Sequence, residues 1–246
     1  MPDKKINIVT AYYNRKPQFI KTLRSIAKTQ YTNFEMIVVD DCSDKEHRLE
    51  DLVFQFPFIK KLIRLEPENK WYVNPSIPFN IGIKAVSEDT DIVVLQNPEC
   101  YHVHDILTYF NNIISDNNYI SISMYFLPED LTKIMPEDNS VKMFLKSLPL
   151  DGWRNHSKIA PEFYHFCAAL SKVNLDKLGG FDEKYAHGIC LEDCDFIDRI
   201  RKLGMYLKIE DNLSVIHQYH PTVFYNRPDT QELFEINKKI HKGKNI

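Results

Sequence analysis

The first half of the chain alternates short apolar segments with helix-forming segments, and this order limits the fold more than any other feature. Residues 6–10 and 35–40 are apolar almost throughout, which is typical of strands covered on both faces. Between them, Phe19, Leu23 and Ile26 recur with the period of an amphipathic helix. Strand–helix–strand order predicts an α/β fold with a mostly parallel, Rossmann-like sheet and helices on both faces. Ligands of such sheets bind beyond the carboxyl ends of the strands.

The same patterns predict the remaining elements, with less regularity in the second half of the chain. Further strands are expected at residues 61–65, 91–95, 119–125, 163–171 and 214–217. Helices are expected from residue 17 onward and at residues 45–56, 78–86, 104–114, 191–203 and 228–242. The polar, proline-containing residues 127–156 are predicted to form, in part, a loop over a binding site.

The composition is that of a globular protein with little net charge. Of the 246 residues, 43% are hydrophobic, and the net charge is −3. This charge is too small to favour nucleic acid or an anionic membrane as a partner. No apolar stretch reaches the roughly 18 to 20 residues of a membrane span, and five cysteines without framework spacing indicate reduced thiols. We therefore expect a cytoplasmic protein with no integral membrane segment and no nucleic-acid partner.

Glycine is scarce, which restricts how the chain could bind a nucleotide. Only 7 glycines are present, and neither G-x-G-x-x-G nor G-x-x-x-x-G-K-[ST] occurs. A glycine-rich loop that cradles phosphates is therefore not expected, and a nucleotide would need a different kind of site.

Three groups of polar residues follow predicted strands at the points where the strands end. They are residues 10–14, 40–43 and 96–99. Each group by itself could be an ordinary turn or helix cap. Because the carboxyl ends of parallel strands share one edge of a sheet, the three together indicate a ligand site.

At this point the chain resembles the family-two glycosyltransferases with the GT-A fold. The resemblance covers roughly residues 6 to 220 and rests on the order of its motifs, which are 9–15 (VTAYYNR), 37–43 (IVVDDCS), 80–85 (NIGIKA), 179–183 (GGFDE) and 191–195 (LEDCD) followed by Arg199. The resemblance implies a single GT-A-like domain over residues 1–222. Residues 1–100 would bind the nucleotide-sugar, residues 101–222 the acceptor, and residues 223–246 would form a C-terminal helix or tail.

The resemblance also implies the residues that bind the donor, a UDP-sugar. Thr10, Tyr12 and Asp41 match the positions that hold uracil and ribose. A carboxylate can accept from the uracil N–H, and a tyrosine ring can stack on the base. The diphosphate would then be bound through Mn²⁺ or Mg²⁺ rather than by backbone amides.

The metal-binding motif departs from the Asp-x-Asp of most relatives. The matching triplet is Asn97-Pro98-Glu99, which predicts Glu99 as a metal ligand and Asn97 as a ribose contact or a support for the ligand. His217 and His220 are candidates for completing the metal shell. Strand alternation would place these two histidines on opposite faces, so at most one is expected to bind, and His217 is favoured.

The best candidates for catalysis are Glu192 and Asp193, at the start of a predicted helix. There the unpaired N–H groups and the helix dipole would keep Asp193 ionised, ready to accept a proton from an acceptor hydroxyl. In relatives the Asp of this pair is the base of an inverting transfer, and the Glu binds the acceptor. Simple helix capping is the alternative. Asp195 and Arg199 are expected to form an ion pair within the helix.

Trp153 lies among polar residues and is a candidate platform for a saccharide, or else a loop anchor. The sequence thus predicts a metal-dependent hexosyl- or N-acetylhexosaminyltransferase that moves a sugar to a saccharide or other hydroxyl acceptor. The alternatives are an inactive carbohydrate- or nucleotide-sugar-binding protein and a nucleotidyltransferase.

Overall fold

The first two predicted strands lie side by side and are parallel, so that Ile8 is opposite Met36 and Val9 is opposite Ile37. The computed structural model describes residues 3–221 and 227–244 of the chain. Within these residues nine strands form one sheet: β1 Ile6–Tyr12, β2 Phe34–Asp41, β3 Ile59–Leu65, β4 Ile92–Gln96, β5 Cys100–His102, β6 Asn118–Phe126, β7 Trp153–Arg154, β8 Cys167–Ser171 and β9 Tyr206–His217.

The sheet is mixed, and its first half is the parallel part. The strand order is β3-β2-β1-β4-β8-β6-β9-β5, with β7 added to β6. Strands β3, β2, β1 and β4 are parallel to one another, whereas β8 runs antiparallel to both of its neighbours. β6 and β9 are again parallel, and β5 pairs antiparallel with β9. The order reverses around β1, whose neighbours β2 and β4 lead away in opposite directions.

Helices cover both faces of the sheet. Within the described residues the α-helices are α1 Lys16–Ile26, α2 Glu50–Gln55, α3 Ser76–Lys84, α4 Ile106–Ile113, α5 Glu129–Ile134, α6 Val141–Ser147, α7 Lys172–Leu178, α8 Glu192–Lys202 and α9 Thr230–Lys244.

Alternation along β1 sends successive side chains into two different cores. Ile8 packs in a cluster with Phe19 of α1, while Val9 packs in a second cluster with Phe79 of α3 and Phe196 of α8. All of these side chains are at most 2% exposed. The predicted α/β class with helices on both faces is therefore confirmed, because a strand with two apolar faces needs cover on each side.

Several predicted boundaries are wrong for identifiable reasons. Strand β5 was not predicted, and β9 is far longer than the expected residues 214–217. The residues before Ser214 are polar and do not alternate as a strand would. The reason is a bulge, because the register of β9 against β6 shifts between Glu210 and Ser214.

The predicted loop over residues 127–156 contains α5 and α6, which pack against Tyr101, Leu127 and Ile216. Residues 163–166, predicted as strand, precede β8 and have no strand conformation.

The C-terminal helix is present as α9 and packs back onto the rest of the protein. Its Asn237 donates to the carbonyl of Cys190 at 2.8 Å, and Lys244 forms ion pairs with Asp182 and Asp195. The predicted boundary between residues 222 and 223 lies outside the described residues, so the division into 1–222 and 223–246 stays a prediction. No helix within residues 3–221 and 227–244 is both long enough and apolar enough to cross a membrane.

Two adjacent glycines follow α7, and one of them packs against Asn80 of α3. The pair can therefore be used to test this contact. Gly179 and Gly180 have φ values of +71° and +78°, but only a Cβ on Gly180 would overlap another group, Oδ1 of Asn80. That oxygen accepts from the backbone N–H of Phe181 at 2.8 Å. Gly179→Ala should lower the free energy of unfolding by about 1–2 kcal/mol, the cost of a left-handed alanine.

Gly180→Ala should cost about 1–3 kcal/mol more, because the overlap adds to the same backbone strain. Urea unfolding of both variants measures the difference. Equal losses would contradict the assigned contact with Asn80.

Candidate active site at the carboxyl ends of β1, β2 and β4

The strand order reverses around β1, and the carboxyl ends of β1 and β4 lie side by side at one edge of the sheet. All three polar groups predicted from the sequence lie at this edge, since β1, β2 and β4 are parallel. Arg15, which follows β1, contacts Glu99, which follows β4, at 2.8 Å. The sheet therefore brings together residues that the sequence places on separate segments, in the position where open α/β sheets bind ligands.

Glu99 is the centre of this site, and its carboxylate is surrounded by basic groups. Its side chain is 1% exposed. Oε2 accepts from the Arg15 guanidinium, while Oε1 lies 2.9 Å from Nε2 of His217 and 3.5 Å from Nε2 of His220. The backbone of Glu99 is fixed as well, because its carbonyl accepts from the Gln218 side chain at 2.9 Å.

The surroundings of Glu99 keep it ionised although it is buried. Burial by itself would raise its pKa, but the positive charge of Arg15 and the contact with His217 hold the pKa of Glu99 well below its usual range. A buried carboxylate of this kind is stable only with such partners. The site therefore presents a negative charge in a place from which water is largely excluded.

The prediction that His217 and His220 lie on opposite faces is wrong. Strand β9 ends at His217, so the alternation of a strand does not extend to His220. Both imidazoles face Glu99, and their ring centroids are 5.3 Å apart. The pairing of β5 with β9 places His217 opposite Cys100, beside Glu99.

Glu99, His217 and His220 fit a divalent cation. Their ligand atoms lie within 4.8 Å of one another, and all three side chains are buried. Nδ1 of His217 is buried without a hydrogen-bond partner. One carboxylate and two imidazoles suit Mn²⁺ and leave coordination positions for other ligands.

Asn97 belongs to the turn that carries Glu99, and its backbone N–H donates to the Phe166 carbonyl at 3.1 Å.

Asp41 lies at the end of β2 with both carboxylate oxygens engaged. The hydroxyl of Tyr72 donates to Oδ1 at 2.5 Å, and Nζ of Lys70 lies 2.8 Å from Oδ2. The Lys70 ammonium also sits 4.7 Å from the ring centre of Tyr13. Burial and the contact with Asp41 raise the pKa of Tyr72, so its hydroxyl remains a donor.

Thr10 and Tyr12 lie below this surface, which argues against direct contact with a ligand. Both are 0% exposed. The Thr10 hydroxyl donates to the Gln96 carbonyl at 2.5 Å, and the Tyr12 hydroxyl donates to the His47 carbonyl at 2.7 Å. The Tyr12 ring packs on Phe19 in the core, so the expected stacking of Tyr12 on a base does not agree with this structure.

Trp153 also lies in an apolar environment. Its ring packs edge-on against Tyr125, with centroids 5.4 Å apart, and belongs to the cluster that contains Leu127. This position agrees with the loop-anchor alternative rather than with a platform for a sugar.

Helix α8 begins at Glu192, as predicted, and presents two carboxyl groups in its first turn. The Asp193 side chain is 28% exposed. Glu192 is buried, and its Oε2 has no hydrogen-bond partner. Burial and then the charge of Asp193 raise the pKa of Glu192 to about 8, so that Glu192 is protonated at neutral pH. The predicted ion pair between Asp195 and Arg199 is confirmed, at 2.8 Å.

The chain enters α8 through a strained conformation. Cys190 and Leu191 have φ values of 61° and 68°, a region that residues with side chains rarely adopt. The hydrogen bond from Asn237 of α9 to the Cys190 carbonyl holds this entry in place. The position of Asp193 therefore depends on the C-terminal helix as well as on α8.

Sequence reasoning missed three partners of the predicted residues: Arg15 on Glu99, Lys70 on Asp41 and His165 on Asp193. Arg15 directly follows the polar residues at the end of β1, and a basic residue in that position could have been predicted as a partner for a carboxylate at the same edge of the sheet. Residues around His165 were interpreted as core strand, and no spacing in the sequence links His165 to Asp193.

Comparison with known proteins identifies the family. Residues 7–179 match the model of glycosyl transferase family 2. The chain belongs to this family. An uncharacterized glycosyltransferase of Rickettsia bellii is 29% identical over 118 residues, which are 48% of this chain and 16% of that protein. The chain thus spans less than a fifth of the length of this relative.

Solved structures agree in fold at low identity. A mannosyltransferase of Pyrobaculum calidifontis, in complex with GDP-Man and Mn²⁺, gives a TM-score of 0.60 at 15% identity, over 89% of this chain and 58% of that one. GalNAc-T7 with UDP, GalNAc and Mn²⁺ gives a TM-score of 0.61 at 15% identity, over 89% of this chain and 44% of that one. TarS of S. aureus, residues 1–349 in complex with UDP, gives a TM-score of 0.58 at 17% identity, over 86% of this chain and 60% of that one. The GT-A-like fold is confirmed.

The protonated state of Glu192 makes stability depend on pH. The folded pKa of about 8 exceeds the ordinary value of 4.5, so folding stabilises the protonated form. This contribution is fully present below pH 4.5 and is lost as the pH rises toward 8. Glu192→Gln cannot ionise, so its free energy of unfolding should fall less than that of the wild type between pH 5 and 8, measured by urea unfolding.

Glu88→Gln is the matched control, because Glu88 is exposed. Its curve should run parallel to that of the wild type. If the Glu192→Gln curve does the same, Glu192 is not protonated in the folded protein at neutral pH.

Proposed function

We propose that this protein is a metal-dependent, inverting glycosyltransferase that moves a sugar from a UDP-sugar to a hydroxyl of a saccharide or other acceptor. The observation that carries the proposal is the buried cluster of Glu99, His217 and His220, at the edge of the sheet where β1 and β4 end. Membership of glycosyl transferase family 2 favours this activity over a nucleotidyltransferase.

Asp41 supports a uracil-containing donor. A carboxylate accepts the N3–H of uracil, and the Lys70 ammonium beside it can donate to a ring carbonyl. Tyr13, rather than the buried Tyr12, offers an aromatic face next to Lys70. Related structures contain UDP in two cases and GDP-Man in a third, so direct comparison of UDP with GDP by calorimetry tests the choice of base.

Glu99, His217 and His220 would hold Mn²⁺ or Mg²⁺, with the two imidazoles favouring Mn²⁺. When bound, the cation supplies positive charge to the departing diphosphate. The positive charge of Arg15 lies against Oε2 of Glu99, the oxygen that does not face the histidines. This arrangement explains how a chain with only 7 glycines can bind a diphosphate without a glycine-rich loop.

Asp193 is the proposed base. It accepts the proton of the acceptor hydroxyl while that oxygen attacks the anomeric carbon from the face opposite the diphosphate. The bond from the anomeric carbon to the diphosphate breaks, the electron pair leaves with the diphosphate, and the configuration inverts. Glu192, protonated beside it, can donate a hydrogen bond to the acceptor.

The metal assignment predicts a loss of cation binding in Glu99→Gln. Neutralising the carboxylate should weaken Mn²⁺ binding by more than about 10-fold, because the amide oxygen of Gln is a weaker ligand without the negative charge. The Mn²⁺-induced rise in Tm, which reflects binding to the folded state, should fall accordingly.

Glu210→Gln is the matched control, since Glu210 is also a buried carboxylate with a cationic partner, Lys208. Its Mn²⁺ response should equal that of the wild type. An unchanged response in Glu99→Gln would show that the cation binds elsewhere.

The base assignment predicts that Asp193→Asn lowers kcat by about 10² to 10⁴-fold, the usual contribution of a general base. UDP affinity should change little, because Asp193 is assigned to the acceptor side. A screen of UDP-hexoses and UDP-N-acetylhexosamines for UDP release, with saccharide acceptors, provides the assay.

Asp198→Asn is the control on the same helix, where Asp198 pairs with Arg201 at the surface. It should retain wild-type turnover. Full turnover by Asp193→Asn would refute the base assignment, and UDP binding with no turnover of any donor would favour a binding protein.

A further inference from the structure

His165 lies directly behind Asp193. Its Nδ1 is 2.7 Å from Oδ1 of Asp193. The imidazole is only 8% exposed, whereas the Asp193 side chain is 28% exposed. An acceptor can therefore reach the carboxylate but not the imidazole, which decides which of the two groups can receive a proton from a substrate.

Two aromatic rings fix the orientation of the His165 ring. Phe79 of α3 packs edge-to-face against it, with centroids 4.8 Å apart and planes at 89°. Phe181 lies 4.9 Å away at 61°. These rings keep water away from the inner side of the imidazole, so its interaction with Asp193 is weakly screened.

The backbone around His165 is held at several points. The hydroxyls of Tyr119 and Ser121 donate to the carbonyls of Phe163 and Tyr164 at 3.0 and 2.8 Å. The Phe166 carbonyl accepts from the N–H of Asn97 at 3.1 Å. His165 thus sits on a fixed segment, residues 163–166, which could impose its geometry on Asp193.

We propose that His165 is a positioning residue for Asp193, orienting the carboxylate through the contact of Nδ1 with Oδ1. This inference rests on the proposed role of Asp193 as base. Oδ1 lies against Nδ1 of His165 and is buried, so the other oxygen of Asp193 is the one that an acceptor hydroxyl can reach.

The other titratable groups around Asp193 are acids that remain neutral at pH 7. Burial raises the pKa of each, to about 8 for Glu192 and about 11 for Cys190. Within ion-pair distance of Asp193, His165 is the only basic side chain in residues 3–221 and 227–244. The groups that act electrostatically with Asp193 are Glu192, Cys190, Cys194, Tyr119 and Tyr164.

Two amide substitutions of His165 test whether Nδ1 is the nitrogen that orients Asp193. The side-chain N–H of His165→Asn can take the place of Nδ1, whereas that of His165→Gln reaches toward the position of Nε2. We expect His165→Gln to lower kcat about 10- to 100-fold, with KM for the UDP-sugar nearly unchanged. His165→Asn should recover most of kcat.

Tyr164→Phe is the matched control. Tyr164 is in the same segment, and its hydroxyl contacts Sγ of Cys194 on α8 at 3.2 Å. If the segment only supports the fold, Tyr164→Phe and both His165 variants should lower kcat only as far as they lower Tm. That result, or equal kcat for the Asn and Gln variants, would overturn the proposal.

Asp193→Asn is measured in the same assay to separate the two proposals. If it is inactive while the His165 variants behave as wild type, only the positioning role fails. If Asp193→Asn retains turnover, the proposed base itself is wrong.

Discussion

The carboxylate of Glu99 is almost fully buried, and the surrounding structure must supply partners for its charge. Arg15 comes from the end of β1, and His217 and His220 come from the end of β9. Only the sheet order brings these ends together. The parallel pairing of β1 with β4 sets the position of Arg15, and the antiparallel pairing of β5 with β9 sets that of His217.

The segment of residues 163–166 connects this cluster to the carboxyl groups of α8. At one end, the Phe166 carbonyl accepts from Asn97, and the Phe166 ring packs edge-on against His217. At the other end, His165 contacts Asp193. The proposed metal site and the proposed base are therefore held by one short piece of backbone, which limits how far either can move relative to the other.

Much of the parallel half of the fold could be predicted from the sequence. Strands β1, β2 and β4 are mostly apolar, and α1 has a clear helical period, so local pattern and tertiary packing agree there. In the second half the agreement is weaker. β5 has three residues, β9 contains a bulge, and residues 163–166 are buried or half-buried without being strand. Burial alone does not distinguish such segments from strands in a sequence.

The sequence by itself determined the fold class and the family resemblance. Local pattern placed polar groups after strands and at a helix start, and the resemblance singled out Asp41, Glu99 and Asp193 among them. The tertiary structure alone decided which partners these carboxylates have. His220 turns toward Glu99 beyond the end of β9, and His165 lies behind Asp193. Such contacts depend on strand pairing and core packing between distant segments, and no local spacing encodes them.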